Sequence, residues 1–387
     1  IYMRFADDRN KIGKYIPAVV FLIFIYGMAL WFIFSPKPDY SSSEKRYLQK
    51  FPEVTAEKLL SGDFGSEFET FFADRFPQRN TWVGLNAYTA LAEGNNGASG
   101  VYNCKNGYLI NKPVSTENNL DKNIGAVADF AKSIDTPTTV MLVPSTGYIV
   151  DDVLPTFHDK YNDDEDISKI SSTLSKDKIG FVDLRERFKS EYKNGSQLYY
   201  KTDHHWTTKG AYTGYQELCK ALGITPIDDS TLKKDSYPDF YGTTYSSSGF
   251  WLTPPDNIEI WNNPKNSDRN ISVKITEGAN IKTSGSMYFT DHLKEDDKYP
   301  VFIDGNHALT EITNTNAKNG TILLIKDSFS HSLAPFLAEN YSKVVLVDLR
   351  YYKESVSDLV TTYNPEQVVV LYGIDNLATD TDIVWLK

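Results

Sequence analysis

The chain has 387 residues, of which 41% are hydrophobic and 24% are charged, and its formal net charge is -11 with a sequence pI near 5.1. A chain of this length can form one large domain with an added element, or two modest domains. The acidic charge argues against binding of nucleic acid or anionic lipid through the bulk of the chain, so no nucleic-acid partner is expected.

The first element along the chain is an apolar run at residues 15–34, which contains no charged side chain. Wound as a helix, such a run spans the hydrocarbon core of a bilayer. The residues before it include four basic side chains, at Arg4, Arg9, Lys11 and Lys14. We therefore expect residues 1–14 in the cytoplasm and the C-terminal domain outside the cell. No small-residue cleavage site follows Phe34, so an uncleaved single-pass anchor is favoured over a signal peptide.

Residues 35–98 are predicted to form a polar tether followed by short helices. The tether, SPKPDYSSSEKRYLQKFP, is polar and contains three prolines. Glycine and proline divide the stretch that follows into short segments with broken apolar periodicity. Asp74, Arg75 and Arg79 in this stretch are interpreted as a structural ion-pair corner rather than as catalytic groups.

From about residue 99 onwards, short apolar runs alternate with helical or polar stretches. Five runs are rich in β-formers: TTVMLV (138–143), IGFVDL (179–184), TILLI (321–325), KVVLVDL (343–349) and QVVVLY (367–372). Near-continuous apolar strands are typical of a parallel sheet covered on both faces, and their alternation with helices predicts a three-layer α/β fold for residues 99–387. An insertion rich in hairpins and loops is predicted at about 225–318, where aromatic, Ser, Thr, Asn and Pro residues replace this pattern.

The two cysteines, Cys104 and Cys219, could pair outside the cell. Cys219, however, falls on the apolar stripe of a predicted helix. There it is better interpreted as a small buried hydrophobic residue.

Ser328 stands between the predicted strand TILLI and a helical pattern. In an open α/β sheet, functional residues lie at the carboxyl ends of the strands. We expect an exposed hydroxyl at the sheet edge and a backbone N–H at a helix start, where it can bind developing negative charge. A serine at a strand end is most often only a helix cap, so this position alone does not identify a nucleophile.

The second candidate element is TDHHWTTKGAY, at residues 202–212. A serine nucleophile needs a histidine base, and that histidine needs an acceptor at its other ring nitrogen. Residues two apart in an extended segment point the same way, so Asp203 and His205 are predicted to share one face. One nitrogen of His205 is then left for Ser328, while His204 faces the other way in a packing or hydrogen-bonding role.

Asp203, His204 and His205 could instead be metal ligands. The side chains of adjacent residues diverge, which hinders chelation of one ion. The chain contains no HExxH motif, no paired cysteine motif and no Asp-rich partner motif. We therefore expect no metal and no other cofactor.

TDHHWTxxGAY, IKDSFSxS and VVLVDLRYY together resemble the DHHW family of Gram-positive bacteria, which is similar to the SGNH-hydrolase-like alginate O-acetylation proteins AlgJ and AlgX. FADRFPQR, FYGTTYS and the N-terminal apolar run also fit this family. The resemblance covers nearly all of the chain beyond residue 34 and implies an SGNH-like catalytic domain. It implies a triad of Ser328, His205 and Asp203, in agreement with the geometric argument.

Substrate-binding roles are predicted for Arg350, in the stretch DLRYY, for His204, and for Tyr245, in FYGTTYS. For Arg350 a salt bridge to Asp348 or another carboxylate is the alternative interpretation. In ordinary SGNH enzymes a Gly-Asp-Ser block precedes an Asp-x-x-His block. Here the Asp-x-His pair comes first and Lys326 replaces the glycine, an order that matches the alginate relatives.

The resemblance implies transfer of O-acetyl groups to an extracellular polysaccharide, or their removal from it. A membrane-bound O-acyltransferase that supplies the acetyl group is the expected partner. We predict an extracytoplasmic O-acetyltransferase with an acetyl-enzyme intermediate on Ser328. A polysaccharide acetyl esterase and a non-catalytic polysaccharide-binding or assembly protein are the alternatives.

Overall fold

The structure, a computed structural model, describes residues 2–114, 119–266 and 269–386, with side chains from residue 14 onwards. The chain divides into two compact units, Ile1–Asn86 and Ala87–Lys387. The division falls inside a helix, whereas the sequence suggested a boundary between residues 98 and 99. The predicted division into an anchor, a tether and a catalytic domain remains a prediction.

The first unit begins with a long helix, α1 (Tyr2–Phe34). Its segment Lys14–Phe34 has a mean hydropathy of 2.4 and is not buried in the structure, so it is long and apolar enough to cross a bilayer. By length and composition this fits either a membrane anchor or a signal sequence. Of residues 1–14, which are predicted to be cytoplasmic, residues 2–14 form the start of the helix, and the side chains up to residue 13 lie outside the described part of the chain.

The rest of the first unit consists of a short ribbon and helices: β1 (Tyr40–Ser41), β2 (Arg46–Tyr47), α2 (Ala56–Ser61), α3 (Asp63–Asp74) and α4 (Arg79–Ala92). The predicted ion-pair corner lies at the end of α3. Asp74 accepts two bonds from Arg46, and Arg79 pairs with Glu44. Arg75 donates to three backbone carbonyls of the preceding tether. These contacts tie the tether to the helix and confirm the structural interpretation.

The second unit is built on an eight-stranded mixed sheet. Its strands, with those of two smaller sheets, are β3 (Gly97–Ala98), β4 (Val101–Asn103), β5 (Leu109–Asn111), β6 (Thr138–Val143), β7 (Gly180–Asp183), β8 (Lys233–Phe240), β9 (Asp256–Asn262), β10 (Ile271–Glu277), β11 (Asn280–Ser284), β12 (Leu309–Asn314), β13 (Asn319–Lys326), β14 (Tyr341–Val347) and β15 (Gln367–Gly373). The order in the large sheet is β11-β10-β12-β14-β13-β15-β6-β7. Its parallel strands, β14, β13, β15, β6 and β7, are the five predicted from the sequence.

Helices cover both faces of the sheet. They are α5 (Leu120–Ser133), α6 (Thr146–Ile149), α7 (Asp163–Lys176), α8 (Arg185–Lys193), α9 (Thr208–Leu222), α10 (Thr243–Ser248), α11 (Ser330–Leu337), α12 (Val356–Tyr363) and α13 (Ile374–Thr379). Short 3₁₀ segments lie at Lys105–Gly107, Asp151–Val153, Asp229–Thr231, Thr290–Lys294, Tyr299–Val301 and Ile383–Trp385.

Alternate residues of the central strands pack into two different hydrophobic cores, one on each face of the sheet. In β13, Ile322 and Leu324 pack with α9 and α11, while Leu323 and Ile325 pack with α5, α7, α12 and α13 on the other face. This arrangement confirms the predicted α/β class with its central, mostly parallel sheet. Cys104 and Cys219 are both buried and unpaired, and Cys219 lies in the core-facing stripe of α9.

The segment predicted as an insertion, at about 225–318, does contain hairpins. β8 and β9 form a separate antiparallel ribbon. β10, β11 and β12 instead extend the main sheet beside β14, with antiparallel pairing. Much of this segment is thus part of the central sheet, because its strands complete an edge that the parallel strands alone would leave open.

Candidate active site

The candidate site lies at the carboxyl ends of neighbouring parallel strands. β13 runs into Asp327 and Ser328, and the adjacent β15 ends at Gly373. The buried carboxylate of Asp327 accepts the N–H of Phe329 at 2.9 Å, the N–H of Gly373 at 2.7 Å and the side-chain amide of Asn376 at 2.7 Å. These three bonds fix the serine turn to the neighbouring strand end. Sequence reasoning gave no role to Asp327 or Asn376.

His205 lies between Asp203 and Ser328. Its Nε2 is 2.7 Å from Oγ of Ser328, and its Nδ1 is 2.5 Å from Oδ1 of Asp203. The sequence predicts an exposed serine, but Ser328 is only 8% exposed. One cause is Tyr299, whose ring stacks on that of His205 with the centroids 4.0 Å apart and whose hydroxyl donates to the carbonyl of Ser328.

The backbone around these residues is a turn, not the predicted extended segment. Tyr199 and Trp206 pair in an isolated antiparallel bridge, and residues 201–205 form the bend between them. Oδ1 of Asp203 accepts hydrogen bonds from both the backbone N–H and the Nδ1–H of His205, and the bond to the backbone is the pattern of an Asx turn. The prediction that His204 faces away is wrong, because the turn brings its ring to 3.9 Å from the ring of His205.

The electrostatics of Asp203 favour its ionised form. Burial acts to raise its pKa, but the charges of His205 and His204 and the hydrogen bonds from His205 and Thr243 hold the pKa well below its usual value. An ionised Asp203 can only accept hydrogen bonds, so Nδ1 of His205 carries a hydrogen. When His205 is neutral, its Nε2 therefore carries a lone pair that is directed at the hydroxyl of Ser328.

His204 has a defined tautomer as well. Its Nδ1 is 2.7 Å from Oγ1 of Thr243, and that same hydroxyl donates to Oδ2 of Asp203 at 3.1 Å. A threonine hydroxyl has one hydrogen, so His204 is the donor and carries its hydrogen on Nδ1. Burial, and then repulsion from His205, lower the pKa of His204 to about 4. Among the residues that the structure describes, none hydrogen-bonds Nε2 of this neutral ring.

Trp206 joins the two halves of the site. Its indole Nε1 donates to the carbonyl of Phe329 and to the hydroxyl of Ser332, both at 2.9 Å. The side chain is completely buried. The tryptophan after the histidine pair therefore anchors the helix that follows Ser328. Sequence reasoning missed this role because no local pattern connects residues so far apart in the chain.

A cavity of about 60 Å³ lies beside the serine turn and is lined in part by Ser145, His204, Phe329 and Asn376. It has room for a few water molecules or a small acyl group. Asn376 uses one amide hydrogen for Asp327 and has a second one. Within residues 2–114, 119–266 and 269–386, no acceptor bonds the N–H of Ser328. The run GIDN directly after the predicted strand QVVVLY was the available sequence signal for Asn376.

Arg350 pairs with Asp348, as the alternative interpretation stated. Its Nη2 and Nε lie 2.6 and 2.8 Å from the two carboxylate oxygens, and Nη2 also bonds Asn306. Asp348 further accepts a bond from buried Lys326, which contacts His331 at 2.8 Å. The side chain of Arg350 is 37% exposed, and its charge contributes to the lowered pKa of His204. The guanidinium therefore lies near the site with part of its surface open.

Tyr245, in α10, supports the turn that carries Asp203. Its N–H donates to the carbonyl of Thr202 at 2.8 Å. Its ring packs against Tyr241 and Trp251, with centroid distances of 4.4 and 5.2 Å. The substrate-binding role of Tyr245 remains a prediction, as do the catalytic roles of the triad.

Asp203, His204 and His205 each present a ligand atom within 4.8 Å of the others, so the metal interpretation has some geometric support. Most of these atoms already have partners. Both ring nitrogens of His205 and Nδ1 of His204 are in hydrogen bonds, and Thr243 donates twice to Asp203. A metal ion here would have to displace the bonds to Ser328 or Thr243.

Two further carboxyl groups, one on buried Asp163 and one on partly buried Asp375, support the wall of the cavity. Asp163 accepts the N–H of Ser145 at 2.7 Å, and Asp375 accepts the hydroxyl of Ser145 at 3.0 Å. Burial raises the pKa of Asp163 to about 7 and that of Asp375 to about 6. Because these values exceed the unfolded value of about 3.9, each group contributes stability that is complete below pH ~4 and is lost as the pH rises through 6–7.

The chain is similar to known proteins in its sequence and in its fold. The sequence model of the family described as DHHW protein matches residues 114–347. A DHHW family protein from Eubacterium siraeum DSM 15702 has 17% identity and a TM-score of 0.62, over 74% of this chain and 95% of its own. PatB1 of Bacillus cereus, solved with a sulfonyl adduct, has 20% identity and a TM-score of 0.61, over 73% and 97%.

The O-acetyltransferase domain of Pseudomonas putida AlgJ has 14% identity and a TM-score of 0.48, over 74% of this chain and 95% of its own. No curated protein matches. At their identities the Eubacterium siraeum protein and PatB1, with TM-scores above 0.6, show a shared fold. The family model places the DHHW run and Ser328 inside the matched segment.

Asp163→Asn should stabilise the protein at pH 8 and have little effect near pH 4. The amide can still accept the N–H of Ser145, but it never has to ionise in a buried position. Thermal melting from pH 4 to 8 is the measurement, with Asp129→Asn as control because that side chain is 79% exposed. Identical pH profiles for the variant and the parent protein would contradict the assignment.

Proposed function

Since the chain belongs to the DHHW protein family, we propose that it is an SGNH-type O-acetyltransferase acting on a cell-surface or secreted polysaccharide. The observation that carries the proposal is the hydrogen-bond chain from Asp203 through His205 to Ser328, with heavy-atom separations of 2.5 and 2.7 Å. These are the contacts required of an oriented base and its nucleophile. The lowered pKa of Asp203 supports the same assignment, since an anion there stabilises a protonated His205.

In the first half of the proposed reaction, Oγ of Ser328 attacks the carbonyl carbon of an acetyl ester donor. His205 takes the hydroxyl proton at Nε2, and Asp203 stabilises the imidazolium through Nδ1. The N–H of Ser328 and the second amide hydrogen of Asn376 are the proposed donors to the oxyanion. The donor alcohol leaves with the proton from His205, and the acetyl group remains on Ser328.

In the second half, a sugar hydroxyl attacks the acetyl-serine. His205 takes the proton of this hydroxyl, and Oγ of Ser328 recovers a proton from His205 when the acetyl ester of the sugar is released. Water in place of the sugar would make the protein an esterase. The low exposure of Ser328 and the ring of Tyr299 over His205 favour transfer, because they restrict the approach of bulk water.

We assign His204 to the positioning of the acceptor sugar. Its ring is neutral, borders the cavity beside the serine turn, and keeps Nε2 as an acceptor. Such a lone pair can bind a sugar hydroxyl without competing for protons with His205. Arg350 and Tyr245 remain predicted substrate contacts, and the partly exposed guanidinium of Arg350 would suit an anionic group on the polymer.

The proposed location is the outer side of the cell membrane of a Gram-positive bacterium, with α1 as a single-pass anchor and residues 1–14 in the cytoplasm. The apolar segment Lys14–Phe34 supports the membrane association. A membrane-bound O-acyltransferase is the proposed source of the acetyl group. A non-catalytic polysaccharide-binding protein is the remaining alternative, and an intact Asp-His-Ser hydrogen-bond chain argues against it.

Ser328→Ala should abolish acetyl transfer while the protein stays folded. Loss of the hydroxyl removes one hydrogen bond, which costs about 1 kcal/mol of folding free energy, whereas loss of the nucleophile costs several powers of ten in rate. The measurement is the acetyl content of the polymer, or turnover of a model acetyl ester, with thermal melting as the folding check. Ser330→Ala is the matched control, because that buried hydroxyl bonds the carbonyl of Asp327 instead.

Normal activity in a normally melting Ser328→Ala protein would remove the enzyme proposal and leave the binding-protein alternative. His205→Ala should cost about as much as Ser328→Ala. The double variant should lose little more, because the residues act as a unit.

The His204 assignment is tested by a pair of amide variants. Asparagine can place its NH₂ group where Nδ1 meets Thr243 but has no distal acceptor, while glutamine can place its oxygen near the position of Nε2. His204→Asn should lower the ratio of transfer to hydrolysis by roughly tenfold, the value of one hydrogen bond, and His204→Gln should preserve it better. Partition of the acetyl-enzyme between water and an oligosaccharide is the readout. Equal ratios in both variants would contradict a role of Nε2.

The proposed triad and the metal alternative predict different responses to a chelator. If the triad is correct, dialysis against a strong chelator should leave turnover of the model ester unchanged, since the atoms that could bind an ion are already hydrogen-bonded. Activity that is lost on dialysis and restored by added zinc would instead assign Asp203, His204 and His205 to a metal site.

A further inference from the structure

Helix α3 and the residues before it form an exposed aromatic patch in the first unit. We call it the phenylalanine cluster: Phe51, Phe64, Phe68, Phe71 and Phe72. The ring of Phe51 lies between 5.4 and 6.5 Å from the rings of the first three helical members. Positions 64, 68, 71 and 72 recur with the spacing of one helix face. The cluster is therefore a continuous apolar stripe.

The stripe is not covered by the described part of the chain. Phe51, Phe68 and Phe72 are 58%, 39% and 41% exposed. The neighbouring helix α2 has no buried residue, and its Leu60 is 89% exposed. Soluble monomers rarely expose contiguous apolar patches of this kind, and such patches mark contacts with proteins or membranes.

The phenylalanine cluster is continuous with the apolar helix α1. Phe32, near the carboxyl end of α1, contacts Phe72 at 4.7 Å and Phe71 at 6.2 Å between ring centroids. A helix that spans a bilayer over Lys14–Phe34 brings this end to the boundary between hydrocarbon and headgroups. The exposed rings thus lie at the depth where amphipathic helices bind membranes.

We propose that α2 and α3 lie in the outer interfacial layer of the bilayer that α1 spans, with the phenylalanine cluster in contact with the acyl chains. The proposal rests on the anchoring part of the proposed function and is independent of the chemistry at Ser328. The surface would hold the tether against the membrane, and would thereby keep the residues that follow α1 close to any membrane protein that supplies acetyl groups.

The charge of this segment defines the kind of lipid contact. Acidic side chains accompany the stripe at Glu57, Asp63, Glu67 and Glu69. Anionic headgroups would repel these carboxylates, so the contact is driven by apolar burial. It should therefore form on zwitterionic phosphatidylcholine and persist at high salt, unlike the contact of a basic amphipathic helix.

The test uses the full chain reconstituted in phosphatidylcholine vesicles, with a spin label on an introduced cysteine. Phe68→Cys reports the stripe, Leu60→Cys reports the neighbouring helix α2, and Ser66→Cys reports the opposite side of α3. Both native cysteines are buried and should not react. Labels on the stripe should be accessible to dissolved oxygen and protected from a water-soluble nickel complex by roughly tenfold relative to Ser66→Cys.

Ile23→Cys, within the candidate span, reports α1 separately, so failure of the anchor and failure of the surface contact are distinguishable. A stripe label as open to the nickel complex as Ser66→Cys, with Ile23→Cys protected, would overturn the proposal and leave the face for a protein partner. A stripe label protected from both oxygen and nickel in pure lipid would also overturn it, because a second copy of the chain would then cover the rings.

Discussion

The buried carboxylate of Asp203 is the interaction on which the geometry of the site depends. It accepts the backbone N–H and Nδ1 of His205, and the N–H and hydroxyl of Thr243. A buried anion without such donors would be strongly destabilising, so its charge draws the turn at residues 201–205 and the start of α10 together. The approach is so close that a side chain at Gly242 would overlap Asp203, with its Cβ 2.0 Å from that of the aspartate.

Two bridges then bring this turn to the nucleophile. Trp206 donates to the carbonyl of Phe329, and Asp327 ties the serine turn to the end of β15 through Gly373 and Asn376. These bridges join segments that are distant along the chain, so the order of the two motifs in the sequence need not match their arrangement in space.

The environment of the site bears on the choice between transfer and hydrolysis. Ser328 is only 8% exposed, Tyr299 covers His205, and His204 borders a cavity large enough for a small acyl group. In the proposed acetyl-enzyme, these surroundings would limit contact with bulk water, and His204 would orient the acceptor sugar.

The sequence by itself determined the features that depend on local patterns. Apolar runs identified the five parallel strands and helix α1. The arrangement of Asp203, His205 and Ser328 was also anticipated, although the turn that produces it was not. Tertiary structure alone decided the packing of the His204 ring against that of His205, the hydrogen bond from Trp206 to Phe329, the hydrogen bond from Asn376 to Asp327, and the position of the strands β10–β12 at the sheet edge. These contacts form where a turn reverses the chain or where residues meet across the sheet. Three-dimensional packing selects such partners, so no local periodicity in the sequence predicts them.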